Sequence, residues 1–271
     1  MDHLEFYNLK EYPFSNSVDN RFYFDNEQHS EALLRLKYAV DTMKGLAVLV
    51  GDVGTGKTTL ARRMLNELPE DKYEAALLVV IHTSVTADWL MKKIAMQIGI
   101  DHVQNSKLEI LSQLYNKFLE INESGRKIVV LMDEVQMLES REIMEEFRGL
   151  LNMEGPAGKL ITFIFFGLPE LDNVLALDEP LKQRVAVKYT LSGLGENLTK
   201  DYVKHRLKVA GCEDELFTNE ALDAIHGYSQ GVPRLINTIC DNSMFEGFLI
   251  KQKPIGKDII DQVASNLELK V

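Results

Sequence analysis

The sequence predicts an α/β domain with a parallel sheet, followed by a smaller helical domain. Short, continuous apolar runs alternate with amphipathic stretches up to about residue 192. Such runs are typical of strands buried on both faces of a parallel sheet, and their alternation with helices indicates an α/β architecture. Strands then stop while helices continue. We therefore place an α/β domain over 1–192, with an N-terminal segment and first helix over 1–44, and a helical domain over 193–271.

Five apolar runs have the character of strands. Each is too short for a helix of ordinary length, and the first four are continuously apolar, whereas the fifth is weaker. They cover residues 47–50, 76–81, 128–132, 160–166 and 186–191. The predicted sheet therefore has five strands.

Amphipathic stretches and capping residues define the helices. Side-chain oxygens that can accept from the first free backbone N–H groups favour an N-cap, and these belong to Thr86, Ser106, Ser140 and Thr218. Pro233 lies where a first helical turn tolerates proline. The predicted helices cover 28–43, 57–68, 87–98, 107–121, 141–151, 199–210, 219–228, 233–247 and 257–267.

The charge balance narrows the classes of partner. The chain has 41 acidic and 30 basic residues, a formal net charge of −11. This acidity favours solubility and argues against a protein that coats DNA by charge alone, which is usually basic. A local basic groove is compatible with an acidic total, so DNA binding is possible but is not indicated by charge.

Cysteine content and hydropathy predict the compartment. Cys212 and Cys240 are the only cysteines; two isolated cysteines supply neither a structural zinc site nor a disulfide framework, and reduced thiols are typical of the cytosol. The first residues contain no secretion signal, and the longest apolar run is too short for a bilayer. We expect a cytoplasmic protein without a membrane span, which reaches a membrane only through a partner.

A glycine-rich loop joins the first predicted strand to the next helix. Its residues fit G-x-x-x-x-G-K-[ST] in the strand–loop–helix context that this motif requires; they are Gly51, Asp52, Val53, Gly54, Thr55, Gly56, Lys57 and Thr58. Backbone N–H groups and the helix N-terminus would face the β-phosphate, and the Lys57 ammonium would serve the β- and γ-oxygens. The Thr58 hydroxyl would ligate Mg²⁺. The loop therefore predicts an ATP and Mg²⁺ site.

A second motif is the acid pair Asp133-Glu134, which directly follows the predicted strand at 128–132. Asp133 is predicted to hold Mg²⁺, directly or through water, and Glu134 to orient and polarise the attacking water. Alone, the pair is equally compatible with a solvated strand end. Downstream of a phosphate loop, it indicates ATP hydrolysis and disfavours a nucleotide kinase, which commonly needs no water-activating glutamate.

With Gly231-Val232-Pro233-Arg234, these two motifs resemble the AAA+ ATPases, and most closely the ExeA/GspA secretion ATPases. Further resemblance lies in 6–14, 28–33, 51–59, 167–171, 181–185, 231–237 and 240–241. It extends over nearly all of residues 1–250 and adds Thr59 to the phosphate loop. The resemblance implies a P-loop NTPase sheet of the AAA+ type, a C-terminal helical lid, and a homo-oligomer that binds ATP.

The resemblance also implies roles for residues outside the two motifs. Arg234, after Pro233, matches the lid arginine that contacts the γ-phosphate, a task that suits a guanidinium. Arg184 matches an arginine that reaches the nucleotide of a neighbouring subunit, although a local salt bridge is an equal alternative. Phe14, in Tyr12-Pro13-Phe14, matches a wall of the adenine pocket, and a hydrophobic staple for the first helix is equally plausible.

One position departs from the resembled pattern. Leu168 follows the glycine that ends the fourth strand, where the family usually has glutamine and where other AAA+ proteins place a polar residue nearby. A leucine cannot hydrogen-bond a phosphate or a water molecule. Hydrolysis is therefore expected to be slow or to be organised differently.

Three functions are compatible with these observations. The first, implied by the resemblance to ExeA/GspA, is an ATPase that couples nucleotide state to oligomerisation and assists assembly of a type II secretion or type IV pilus-like system. The second is an ATP-dependent transposition regulator, similar to TnsC and TniB, that binds DNA and a transposase. The third is a switch that binds ATP and barely hydrolyses it, which Leu168 favours and Glu134 disfavours.

Overall fold

The computed structural model describes residues 3–17, 19–156 and 158–270. Contacts divide the chain into two compact units. The α/β unit comprises Gln28–Asp52 and Lys57–Leu191; the helical unit comprises Met1–Glu27, Val53–Gly56 and Ser192–Val271. This division differs from the predicted one, in which residues 1–44 all belonged to the nucleotide-binding domain.

A five-stranded parallel sheet forms the centre of the α/β unit. Its strands are β1 (Leu46–Gly51), β2 (Tyr73–Val79), β3 (Lys127–Asp133), β6 (Ile161–Gly167) and β7 (Val185–Leu191), and β4 (Glu154–Gly155) and β5 (Gly158–Lys159) form a separate antiparallel pair. The sheet order is β2-β3-β6-β1-β7, and every neighbouring pair is parallel. The predicted five-stranded parallel sheet is confirmed.

Helices cover both faces of this sheet, as its buried central strands require. They are α2 (Glu27–Asp41), α3 (Lys57–Asn66), α4 (Ala87–Gln97), α5 (Lys107–Glu123), α6 (Arg141–Leu151), α7 (Leu171–Leu175) and α8 (Glu179–Lys182). One apolar cluster contains Phe147 and Phe163, and another contains Leu49 and Phe166. The predicted caps Thr86, Ser106 and Ser140 accept from backbone N–H groups three residues ahead.

The helical unit has its own apolar core. Its helices are α1 (His3–Phe6), α9 (Glu196–Val209), α10 (Asn219–Ser229), α11 (Pro233–Leu249) and α12 (Lys257–Asn266). Tyr7, Phe14 and Phe22 are buried in this core with residues of α9 to α12. The Arg206 guanidinium donates to the carbonyl oxygen of Ser15 at 2.8 Å. These contacts explain why the N-terminal segment belongs to this unit.

Within 3–17, 19–156 and 158–270, no helix is long and apolar enough to cross a bilayer.

Candidate nucleotide site

The glycine-rich loop follows β1 and ends where α3 begins. The five residues 46–50 are buried and fix the strand that delivers Gly51 to the carboxyl edge of the sheet. Gly54 and Gly56 have φ angles of +82° and +102°, in the left-handed region that glycine adopts without a steric cost. Gly54 and Gly56 are therefore required by the turn that leads the chain into α3.

Lys57 is the first residue of α3 and only 5% exposed. Its ammonium group donates to the carbonyl oxygens of Gly51 at 2.7 Å and Asp52 at 2.9 Å. A buried charge requires such polar partners. The Lys57 ammonium group therefore contacts the backbone of the loop that precedes it. Its positive charge lies near the N-terminus of α3, and helix N-termini attract anions.

Thr58 and Asp133 connect the start of α3 to the end of β3. The Thr58 hydroxyl donates to Asp133 Oδ2 at 2.6 Å. Burial raises the pKa of Asp133, whereas the hydrogen bond from Thr58 and the charge of Lys57 oppose that rise. A divalent cation beside this buried carboxylate would favour its ionised form. The hydroxyl–carboxylate pair therefore fits Mg²⁺.

A Mg²⁺ site in a nucleotide-binding protein needs few protein ligands. The described residues contain no group of three or more His, Cys, Asp or Glu side chains arranged to hold a metal. Mg²⁺ in nucleotide sites is commonly bound by one or two protein groups, substrate phosphates and water. Thr58 and Asp133 supply two such protein groups.

Glu134 adopts an uncommon backbone conformation next to Asp133. Its φ and ψ angles are 60° and 36°, a left-handed conformation that costs a residue with a side chain on the order of 1–3 kcal/mol. Its backbone N–H donates to Asp133 Oδ1 at 3.0 Å. Residues held in such conformations cluster at active sites.

Gln136 is a site residue that the sequence analysis missed. It lies in the 3-10 turn Val135–Met137. Its amide Nε2 donates to Glu134 Oε2 at 2.6 Å, and its Oε1 accepts from the backbone N–H of Leu168 at 3.1 Å. The only signal in the sequence is a polar residue two positions after Glu134, and that spacing alone does not reveal the turn.

Gly54 and Arg234 are in contact within the helical unit. The Arg234 backbone N–H donates to the Gly54 carbonyl oxygen at 3.3 Å, and a Cβ at Gly54 would lie 2.7 Å from Cβ of Arg234. Pro233 is the first residue of α11, as predicted, and Val232 is its N-cap. The start of α11 thus lies against the loop tip Val53–Gly56. The predicted γ-phosphate contact of Arg234 stays a prediction.

Arg184 follows α8 in a well-anchored segment. Asp178 caps α8 by accepting from the Leu181 N–H at 2.8 Å, and it pairs with Arg148 at 3.0 Å. The Arg184 guanidinium donates to the side-chain oxygen of Asn152, a neutral partner. A local contact therefore exists, although it is not the salt bridge weighed from sequence. Action on a neighbouring subunit stays a prediction.

The remaining predicted contacts of the nucleotide concern Phe14 and Thr59. Phe14 is 2% exposed and packs edge-on against Phe217, with ring centroids 6.2 Å apart. This position supports a packing role for the ring; a wall for adenine stays a prediction. Thr59 lies in the first turn of α3 and is half-buried.

Known proteins are similar to this chain in sequence. Residues 40–175 match the AAA domain family. General secretion pathway protein A of Aeromonas hydrophila is 36% identical over 247 residues, which is 90% of this chain and 44% of that protein. The chain thus spans less than half of the length of this relative.

Solved structures show the same fold at low sequence identity. The Aeropyrum pernix ORC2 protein, as ADPNP-ADP complexes, has a TM-score of 0.71 and 16% identity, covering 97% of this chain and 72% of that chain. Cdc6p from Pyrobaculum aerophilum has a TM-score of 0.70 and 21% identity, covering 94% and 70%. The Thermotoga maritima RuvB Holliday junction branch migration motor has a TM-score of 0.60 and 18% identity, covering 95% and 74%.

The family match includes the phosphate loop, the acid pair and the first four strands of the five-stranded sheet. The predicted recognition of an AAA+ ATPase and the predicted enzyme class are therefore confirmed, and the chain belongs to the AAA domain family of ATPases.

Proposed function

We propose that the residues of the loop and the acid pair bind ATP with Mg²⁺ and hydrolyse it to ADP and phosphate. The loop Gly51–Thr58 would receive the β- and γ-phosphates, with the Lys57 ammonium exchanging its loop carbonyls for phosphate oxygens. Thr58 and Asp133 would hold Mg²⁺, which neutralises phosphate charge when bound. The observation that carries this proposal is the Thr58–Asp133 hydrogen bond of 2.6 Å, because it brings the two motifs together.

Glu134 is the proposed base in this reaction. Its carboxylate would accept a proton from the attacking water, whose oxygen forms a bond to the γ-phosphorus. The bond between that phosphorus and the β–γ bridging oxygen breaks, and ADP leaves with the electron pair. Arg234 and, from a neighbouring subunit, Arg184 would stabilise the charge on the γ-phosphoryl oxygens.

A phosphate-release assay of Glu134→Gln tests the role of this residue. We expect turnover to fall at least about 100-fold, the usual contribution of a general base, while ATP binding is retained. Glu139→Gln is the matched control, since Glu139 is an exposed glutamate of the same region. Equal turnover of the native protein and Glu134→Gln would remove Glu134 from the mechanism.

We further propose that this ATPase couples nucleotide state to self-association and to assembly of a partner machine in a type II secretion or type IV pilus-like system. The support is the 36% identity to General secretion pathway protein A, which extends over 90% of this chain. Nucleotide-dependent contacts between subunits would form with ATP and relax after hydrolysis. The protein partner would belong to the cell envelope.

Deleting the gene in its native host tests this role. We expect less protein in the medium or fewer pili, with recovery on expression of the native chain and no recovery with Lys57→Ala. Unchanged secretion and piliation would contradict the envelope role. A filter-binding assay with ATP and duplex DNA separates this function from transposition control: tight, ATP-dependent retention of DNA would favour the transposition alternative.

A further inference from the structure

One side chain joins the ends of two neighbouring strands at the candidate site. Gln136 donates through Nε2 to the Glu134 carboxylate at 2.6 Å and accepts through Oε1 from the Leu168 N–H at 3.1 Å. Glu134 directly follows β3, and Leu168 directly follows β6. The amide therefore forms a bridge between the proposed base and the backbone at the end of the adjacent strand.

The direction of this bridge is fixed by chemistry. A backbone N–H can only donate, so the amide oxygen of Gln136 must face Leu168. The amide NH₂ then faces Glu134, where an ionised carboxylate can only accept. Both ends are satisfied with this one orientation. A neutral glutamine also adds no third negative charge beside Asp133 and Glu134.

The fold leaves room for this amide. A Cβ at Gly167 would lie 2.8 Å from Gln136 Oε1 and 3.0 Å from Cδ2 of Leu171. Gly167 is buried and pairs with Val50 of β1, the strand that leads into the phosphate loop. Leu168, whose N–H binds the Gln136 amide, thus follows β6. This strand lies between β1, which leads into the phosphate loop, and β3, which ends at the acid pair.

We propose that Gln136 is a positioning residue for hydrolysis: it holds the Glu134 carboxylate in the direction required to receive the proton of the attacking water. The proposal rests on the proposed role of Glu134 as the base. The apolar side chain of Leu168 cannot make a polar contact at this site. In its place, the Gln136 amide contacts Glu134, and the backbone N–H of Leu168 holds the other end of that amide.

Two substitutions separate the ends of the bridge. Gln136→Met removes both hydrogen bonds at similar volume. Gln136→Glu keeps an acceptor for the Leu168 N–H but replaces the donor to Glu134 with a like charge. We expect kcat to fall roughly 10- to 100-fold in both, because displacing a reacting group by about 1 Å costs up to that factor. The dissociation constant for ATP should change less than about threefold, since Gln136 is not proposed to contact the nucleotide.

Gly167→Ala tests the same bridge with Gln136 and Glu134 intact. The added methyl group would displace the amide oxygen, and kcat should fall in the same direction. For Gln136→Met, the matched control is Gln97→Met, because it makes the same chemical change at an exposed position of α4. Thermal melting of each variant reports whether the fold is retained.

A double-mutant cycle distinguishes positioning from a structural role. If Gln136 acts through Glu134, adding Gln136→Met to Glu134→Gln should lower the residual rate less than about twofold, because coupled residues are not additive. Full additivity, or a native kcat in Gln136→Glu, would overturn the proposal. If instead Glu134→Gln alone had native turnover, the proposed function of Glu134 would fail first, and the cycle would show this directly.

Discussion

At the residue scale, the side chain of Lys57 is fixed by hydrogen bonds to the phosphate loop. It is 5% exposed, and its ammonium donates to the carbonyl oxygens of Gly51 and Asp52. A buried ammonium ion is stable only with such partners, and phosphate oxygens can replace them at little desolvation cost. We therefore expect this ammonium group to bind an anionic ligand.

Lys57→Ala should weaken ATP binding roughly 10- to 100-fold, the worth of a charge-assisted hydrogen bond of about 1.5–3 kcal/mol. Titration with a fluorescent ATP analogue measures the dissociation constant. Lys93→Ala, on α4, is the matched control. Affinity equal to that of the native chain would contradict the phosphate role.

At the scale of secondary-structure elements, most of the fold was predictable. The five apolar runs became β1, β2, β3, β6 and β7. The central strands β1, β3 and β6 are nearly all buried, which explains their continuous apolar runs. β7 lies at the edge of the sheet with alternating half-buried and exposed residues, which explains why its run was weaker. Helix α9 begins at Glu196, three residues before its predicted start, with Gly195 as the N-cap. The hairpin β4–β5 and helices α7 and α8 are too short to produce a readable periodicity.

Long-range contacts were the part that sequence could not predict. The N-terminal segment joins the helical unit through side chains such as Tyr7 and Phe14, which contact residues some two hundred positions away. The Gln136 bridge likewise depends on the neighbourhood of β3 and β6. Motif residues such as Lys57 and Asp133 were predictable because their spacing has a known chemical purpose.

Tyr7 gives the packing of α1 against α11 a pH dependence. Its side chain is fully buried, and its hydroxyl donates to the Met244 carbonyl oxygen at 3.0 Å. Burial raises the pKa of Tyr7 from 10.0 to about 12. Because the folded pKa is the higher one, its contribution to stability is complete below pH 10 and is lost as pH rises through 12.

Thermal melting between pH 9 and 11 measures this effect. Tyr7→Phe should lower stability at pH 8 by roughly 1 kcal/mol through the lost hydrogen bond, yet its melting temperature should fall less steeply above pH 10 than that of the native chain. Tyr12→Phe, at an exposed tyrosine, is the control. Parallel declines in native protein and Tyr7→Phe would show that the phenol does not govern alkaline stability.

At the scale of the whole molecule, the prediction concerns association of several copies. Arg184 is anchored after α8 and contacts the neutral Asn152, and it is proposed to reach the nucleotide of a neighbouring subunit. Specific ATPase activity should then rise with protein concentration, and Arg184→Ala should lower kcat at least about tenfold. Arg141→Ala, at an exposed arginine of α6, is the matched control.

Mixing two impaired variants tests action between subunits. Arg184→Ala keeps its own Glu134, and Glu134→Gln keeps its own Arg184. If Arg184 acts across the subunit boundary, a mixture should recover activity above the sum of the two proteins alone. Activity that is flat over dilution, together with no recovery in the mixture, would indicate a monomer that works alone.

A crystal structure with Mg²⁺ and a non-hydrolysable ATP analogue tests the central claim most directly. The triphosphate is expected to lie along Gly51–Thr58, with the Lys57 ammonium on phosphate oxygens and the metal against Thr58 and Asp133. A nucleotide bound elsewhere, or a metal without contact to either side chain, would contradict the account.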